Sequence, residues 1–185
     1  MPEFYRLKAF DGRQSPDLRA SVAQLGTQLV ISFRVFPLTK LDIPAARPKP
    51  EARERLWEHT CFEVFVQAEG MNSYLEWNAS PSGDWAVFAF RAYRDRIPLE
   101  GPGFDPALHI KEDEGGLEIA MTLQTSAWLA FWPQARTSGF RLGLASVLRD
   151  ASGGLSYWSL LHPSVKPDFH DARSYILELG PGILS

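Results

Sequence analysis

The stretch 56–66, LWEHTCFEVFV, gathers a tryptophan, two glutamates, a histidine and the only cysteine of the chain. Carboxyls can serve as general acids or bases, imidazoles can ligate metal, and an indole face can stack on an apolar ligand surface. Two further segments carry the same mixture: YLEWNASPSGDWAVFAFRAYR at 74–94 and LSYWSLLHPSVKPDFHDARSY at 155–175. Together the three hold Trp57, Trp77, Trp85 and Trp158, four of the six tryptophans, and His59, His162 and His170, three of the four histidines.

Each chemistry sets its own requirement. His59 and Glu63 are four residues apart, which on a strand separates them by about 13 Å, too far to share a metal. A metal-assisted hydrolase would need at least three of His59, Glu63, His162, Asp168 and His170 to converge on one point. In the Pro-rich loop HPSVKPDFH the plainer role for His162 and His170 is donation to loop carbonyls. Ser80, Ser82 and Ser164 lack the nucleophile-elbow pattern of a Ser–His–acid triad. SPSGD reads instead as a turn in which Gly83 supplies a positive φ. Cys61 sits mid-strand, whereas a reactive thiol needs exposure and a positive field. Haem needs opposed axial ligands, and Met71 in a turn finds no such partner. No dense Asp/Asn loop demands calcium. No cofactor or resident metal is expected.

Binding makes better use of these residues. Strand geometry puts Cys61, Glu63 and Phe65 on one face of their segment, with Phe62, Val64 and Val66 on the other. In the next segment it separates Tyr74, Glu76 and Asn78 from Leu75, Trp77 and Ala79. The turn AEGMN between them is short enough for a hairpin, which would bring Glu63 and the Tyr74/Glu76/Asn78 row to one surface. Cross-strand pairing with Arg91, Arg94 or Arg96 is the competing account of those acids. Trp77 and Trp85 read as core, and Trp128 and Trp132 as a plug at one end.

The elements that must position these groups are strands. Leu29, Ile31, Phe33 and Val35 alternate with polar neighbours, as do Leu117, Ile119, Met121 and Leu123, and Phe140, Leu142 and Leu144. The others are FYRLKAF, LRASVAQL, TCFEVFVQA, NSYLEWNAS, DWAVFAFRAY, LHIKEDE, LSYWSLL and ARSYILEL, about eleven in all, at the spacing of a sandwich or barrel. Gly-, Pro- and Asp-rich turns separate them. TSAWLAFW alone reads as helix, begun by Thr125 or Ser126 and stopped by Pro133. FPLTKLDIPAARPKPEARERL is the longest connection and is expected to cross one end of the fold. The expectation is an all-β chain, one domain over 1–185, built as an antiparallel β-sandwich with one short helix.

Bulk properties close off other classes. Hydrophobic residues make up 45% and charged residues 22%, and the net charge is −3. That is globular composition without the basic footprint of a nucleic-acid or anionic-membrane binder. No apolar run approaches the ~20 residues of a membrane span, and the N-terminus lacks a signal-peptide h-region, so a cytoplasmic location is expected.

LWEHTCFEVFV followed by YLEWNASPSGDWAVF resembles family 9 carbohydrate-binding modules and the wider DOMON-like group of immunoglobulin-like or jelly-roll-like sandwiches. YWSLLHPSVKPDFH is similar to the C-terminal signature of a bacterial DOMON-like subfamily. The resemblance implies a non-catalytic domain holding a small polar ligand, a sugar or glycoconjugate, against tryptophan faces. Trp57 and Trp158 would be the platforms, and Glu58, Glu76, Asn78, His162, Lys166 and Asp168 the orienting groups, with His59, Glu63, Tyr74 and His170 in the same wall. The metal-assisted hydrolase is one alternative. The other is an interaction scaffold whose aromatic surface joins two copies as a homodimer.

Overall fold

The computed structural model describes residues 4–181, Arg136 by its backbone alone. Residues 1–3 and 182–185, the ends of the expected 1–185 domain, lie outside the described residues. In chain order the strands are β1 (Phe4–Arg6), β2 (Lys8–Ala9), β3 (Asp17–Leu25), β4 (Gln28–Phe36), β5 (Cys61–Ala68) and β6 (Tyr74–Ala79). They continue with β7 (Trp85–Ala92), β8 (Asp95–Ile97), β9 (Ala107–Asp113), β10 (Gly116–Gln124), β11 (Phe140–Arg149), β12 (Leu155–Ser159) and β13 (Leu177–Leu179). One sheet runs β1-β3-β4-β10-β9; the larger runs β2-β12-β11-β5-β6-β7-β8, with β13 also on β11. Every strand pairing is antiparallel. The two sheets form a β-sandwich with one helix, α1 (Thr125–Phe131).

Alternation decides which side chains meet between the layers. Leu29, Ile31, Phe33 and Val35 of β4 and Leu117, Ile119, Met121 and Leu123 of β10 enclose one side of the core. Phe62, Val64, Val66, Leu75, Trp77, Leu142 and Leu144 form the other. Trp128 of α1 closes one end, its ring 5.1 Å from Phe140 and 6.2 Å from Trp77. Thr125 does not cap this helix through its side chain; its hydroxyl donates to the Thr27 carbonyl at 2.9 Å, tying the helix to the β3–β4 hairpin. Pro133 opens a 3-10 turn, Pro133–Thr137, so the α-helix stops where the ring's missing N–H requires.

Two strand expectations change in detail. The run FYRLKAF divides at the buried Leu7: β1 pairs with β3 in the smaller sheet and β2 with β12 in the larger. β8 is too short to leave a periodic signal. Trp85 is half-buried at the start of β7, its Nε1 directed at Asp105 Oδ1, so it is an edge residue and not core.

The long connection crosses one end of the larger sheet. Leu41 bridges to Asp150, and the Arg53 N–H donates to the Trp85 carbonyl at 2.7 Å. Buried Asp84 anchors it, accepting from the Glu51 N–H at 3.0 Å and pairing with Arg53 at 3.2 Å and Arg47 at 3.4 Å. Gly83 precedes it with φ 93°, and a Cβ there would lie 2.8 Å from Pro50.

The outer face of the larger sheet has a cover of its own. All eight residues of β5 are buried, both those facing the sandwich and those facing away. The outward set, Cys61, Phe65, Tyr74, Phe88, Phe90 and Val147, forms a second apolar cluster with Phe169 and Tyr175 of the segment 161–176. Phe65 and Tyr175 stack at 5.6 Å. Gly143 of β11 makes that approach possible, because a Cβ there would stand 2.4 Å from Tyr175 Cδ1. Gly143→Ala should therefore lift the cover and cost about 1–3 kcal/mol, the usual penalty for overpacking. Chemical denaturation together with limited proteolysis after residue 160 measures both effects, and unchanged values would refute the role given to Gly143.

Candidate functional site

Between the bare part of that outer face and its cover lies a cavity of about 590 Å³. Its floor is Glu63 of β5 and Glu76 of β6, which the hairpin register sets diagonally, Glu63 opposite Asn78 and Glu76 opposite Phe65. Phe88 and Phe90 of β7 form one wall, Tyr157 of β12 and Phe169 of the cover the other. Trp57 stands at the mouth on a 3-10 turn (Leu56–Glu58), 39% exposed and edge-on to Phe88 at 5.9 Å. Arg94 and Arg96 reach the rim from the β7–β8 turn and β8.

The rim cations are already occupied. Arg96 pairs with Glu54 at 2.6 Å and lies 4.3 Å over the Phe88 ring. Arg94 pairs with Asp168 at 3.0 Å. The competing expectation, that arginines neutralise Glu63 and Glu76 by direct pairing, does not hold.

The floor carboxyls have neutral partners instead. Glu63 Oε1 accepts from the Cys61 thiol at 3.3 Å, and Glu76 Oε1 from Asn78 Nδ2 at 2.7 Å. Glu63 and Glu76 are each 4% exposed. Burial pushes both carboxyls above the ordinary glutamate range, and the charge of Glu76 raises Glu63 further. The Asn78 bond and then Arg94 and Arg96 oppose the shift at Glu76. Glu76 Oε2 and Asn78 Oδ1 are buried acceptors with no hydrogen-bond partner among the described residues. Buried acceptors are almost always satisfied, so Glu76 Oε2, which lines the cavity, marks a place for a donor from outside the chain. Cys61 is raised well above its usual value by burial first, and is an inert thiol.

His170 joins the floor to the cover. The Arg94 backbone N–H donates to the Tyr74 hydroxyl at 3.1 Å, and that hydroxyl is hydrogen-bonded to His170 Nδ1 at 2.8 Å. Nε2 faces Glu76 Oε2 across 3.9 Å. Burial first, then Arg94, lowers His170 to about 4, so the ring is neutral at pH 7.

Trp57, Glu58, Glu63, Glu76 and His170 thus line one cavity. Tyr74 and Asn78 support it from the same face. Asp168 lies beyond His170 in a neighbouring hollow with Tyr93, whose hydroxyl it accepts at 2.6 Å. Lys166 is exposed outside both. Three expected residues are elsewhere. Trp158 is 2% exposed inside the sandwich with Nε1 donating to Ser156 Oγ, because alternation on β12 turns Tyr157, not Trp158, to the outer face. His162 donates to the Lys8 carbonyl at 2.8 Å, and His59 accepts from Arg149 at 3.0 Å. Among the described residues no three His, Cys, Asp or Glu side chains gather to hold a metal ion, so the convergence required of a metal-assisted hydrolase is not met. Phe88, Phe90, Tyr157 and Phe169 were the missed wall residues. The apolar residues on both faces of β7 were the signal that its outer face is covered too.

Solved structures share this architecture. A proposed carbohydrate-binding protein from Bacteroides uniformis superposes with TM-score 0.64 at 18% identity, covering 94% of this chain and 84% of that one. A family 9 carbohydrate-binding module from Caldicellulosiruptor kristjanssonii in complex with cellotriose gives TM-score 0.59 at 9% identity, covering 98% and 79%. The same module in complex with glucose gives 0.59 at 8%, covering 98% and 81%. The fold is related to that of family 9 carbohydrate-binding modules. No protein-family model and no curated protein matches the chain.

The buried floor makes stability depend on pH. In the unfolded chain a glutamate titrates near about 4.3; in the fold Glu63 and Glu76 hold their protons higher. Their stabilising contribution is complete below the unfolded value and is lost as pH rises through the folded ones. The Glu63→Gln/Glu76→Gln variant should gain on the wild type by at least about 1.4 kcal/mol, one pKa unit, between pH 5 and pH 8. Urea titrations at the two values test this, and a gap that does not change with pH would contradict the assigned shifts.

Proposed function

We propose that the chain is a non-catalytic binding domain for a carbohydrate. The observation that carries the reading is the pairing, in one cavity, of an exposed indole with a buried and unsatisfied acceptor, Glu76 Oε2, on the floor. A pyranose is amphipathic in the same way: its axial C–H face stacks on an aromatic ring, and its hydroxyl edge offers donors. Trp57 supplies the ring, with Phe88, Phe90 and Tyr157 deepening the apolar wall. Glu76 Oε2 supplies an acceptor, and His170 a polar ring edge beside it. A cavity of about 590 Å³ is of small-ligand size. The sugar-bound modules of the same fold support the choice of ligand class.

The site supports binding better than chemistry. Cys61 is fully buried and turned to Glu63, and His170 is committed to Tyr74. The Cys61 thiol beside Glu63 does not line the cavity, and burial pushes it up, away from the thiolate a nucleophile needs.

Titration calorimetry with glucose, cellobiose and cellotriose tests the proposal. Trp57→Ala should weaken binding at least about tenfold, the equivalent of 1.4 kcal/mol, with little effect on folding because the ring is partly exposed. Trp158→Phe should destabilise the protein and leave affinity within about twofold, since distant sites act independently. Saturable binding that ignores Trp57→Ala, or no binding of these three sugars or of any amino or acidic monosaccharide, would overturn the assignment.

A further inference from the structure

The charges around the cavity are divided unevenly. Each rim cation already has an anion: Arg55 holds Glu58 at 2.9 Å, Arg96 holds Glu54, and Arg94 holds Asp168. The floor has the reverse arrangement, two carboxyls whose bonded partners are a thiol and an amide. The other groups facing it are Tyr74, whose hydroxyl is hydrogen-bonded to His170, and the neutral imidazole itself, 3.9 Å from Glu76 and beyond hydrogen-bond reach. The open position on the cavity floor is an acceptor, Glu76 Oε2, in a residue 4% exposed, with Asn78 Oδ1 unsatisfied behind it.

A ligand hydroxyl would satisfy one of these oxygens but bring no charge to two carboxyls sharing an apolar pocket. A ligand carboxylate would hold the floor's own ionisation back further and find no cation, because the arginines that might receive it are engaged. A protonated amine fits each feature: three N–H donors, no acceptor, and one positive charge. The aromatic walls favour the same group, because a desolvated cation is attracted to ring faces.

We propose that the ligand of this site carries a protonated primary amine seated between Glu63 and Glu76, so that, within the sugar reading on which this rests, the preferred class is the amino sugars. Neighbouring positive charge favours ionised carboxyls, so binding releases the proton the floor retains when empty. Below the range in which the floor ionises, the attraction disappears and an amino sugar binds no better than its neutral analogue. Cys61, Tyr74, Arg94, Arg96 and His170 all face the floor; burial raises the Cys61 thiol and the Tyr74 hydroxyl and lowers His170, shifts that keep all three neutral between pH 5 and 8.

Calorimetry at pH 7 with glucosamine, galactosamine, glucose, N-acetylglucosamine and glucuronic acid tests the proposal. One of the two amino sugars should bind at least about tenfold tighter than glucose and N-acetylglucosamine, the worth of a charged hydrogen bond. Glucuronic acid should bind weakest. The amine preference should shrink to about twofold at pH 5, and likewise in the Glu63→Gln/Glu76→Gln variant, whose folding is checked by its melting temperature. Repeating the titration in buffers of different ionisation enthalpy should reveal proton release for the amino sugar alone. Equal affinity for glucose and both amino sugars, or preference for glucuronic acid, would overturn the amine while leaving the sugar reading standing. If none of the five binds, the sugar reading fails as well.

Discussion

The structure turns on the burial of β5 from both sides. A strand in a two-layered sandwich ordinarily presents one face to water, and acids on that face need no explanation. Here the segment 161–176 covers the outer face as well, and Glu63 and Glu76 lose their solvent without gaining a cation. Their raised proton affinity, the open acceptors beside them and the aromatic walls all follow from that one layer. Without the cover the same residues would be an ordinary solvated sheet face.

The cover must therefore be held firmly, and its hydrogen bonds show how. Asp171 accepts from Ser164 at 2.7 Å and caps the 3-10 turn Ala172–Ser174 through the Arg173 N–H. Its bond to the Arg173 guanidinium holds its carboxyl well below the usual aspartate range. Asp168 ties the segment to the β7–β8 turn through Tyr93 and Arg94. Tyr74 reaches up from β6 to His170, and its ring stacks on Phe90 at 4.6 Å. These contacts use polar groups that a loop must satisfy anyway. They also consume Arg94 and Asp168, which is why neither serves the floor directly.

Trp57 and Trp158 illustrate the division of labour among aromatics. Both sit in segments rich in ionisable residues, yet one lies at the cavity mouth and the other in the sandwich. Three of the four inner tryptophans find a local acceptor for the indole N–H: Phe104 O for Trp77, Ser73 Oγ for Trp132, Ser156 Oγ for Trp158; Trp128 Nε1 has none among the described residues. A tryptophan so satisfied gains from burial and has no reason to face a ligand. Trp57 rides on a short turn held by the long connection, and so keeps a free face.

Much of this was written in local periodicity. The alternation in TQLVISFRVF, GLEIAMTL and GFRLGLASVL fixed strands, faces and the sandwich class, because a period of two leaves only one way to bury the apolar set. The hairpin AEGMN joined Glu63 to the Tyr74/Glu76/Asn78 row for the same reason: both are consequences of neighbours within about a dozen residues. What pattern could not decide was which outer face would be covered, by what, and which side of β12 would look outward. Those depend on the contact of 161–176 with β5, β6 and β7, some hundred residues earlier, and on the missing Cβ of Gly143. Such contacts leave no period in the chain, so the pocket, the engaged cations at its rim and the acids without a cation beneath it belong to the tertiary structure alone.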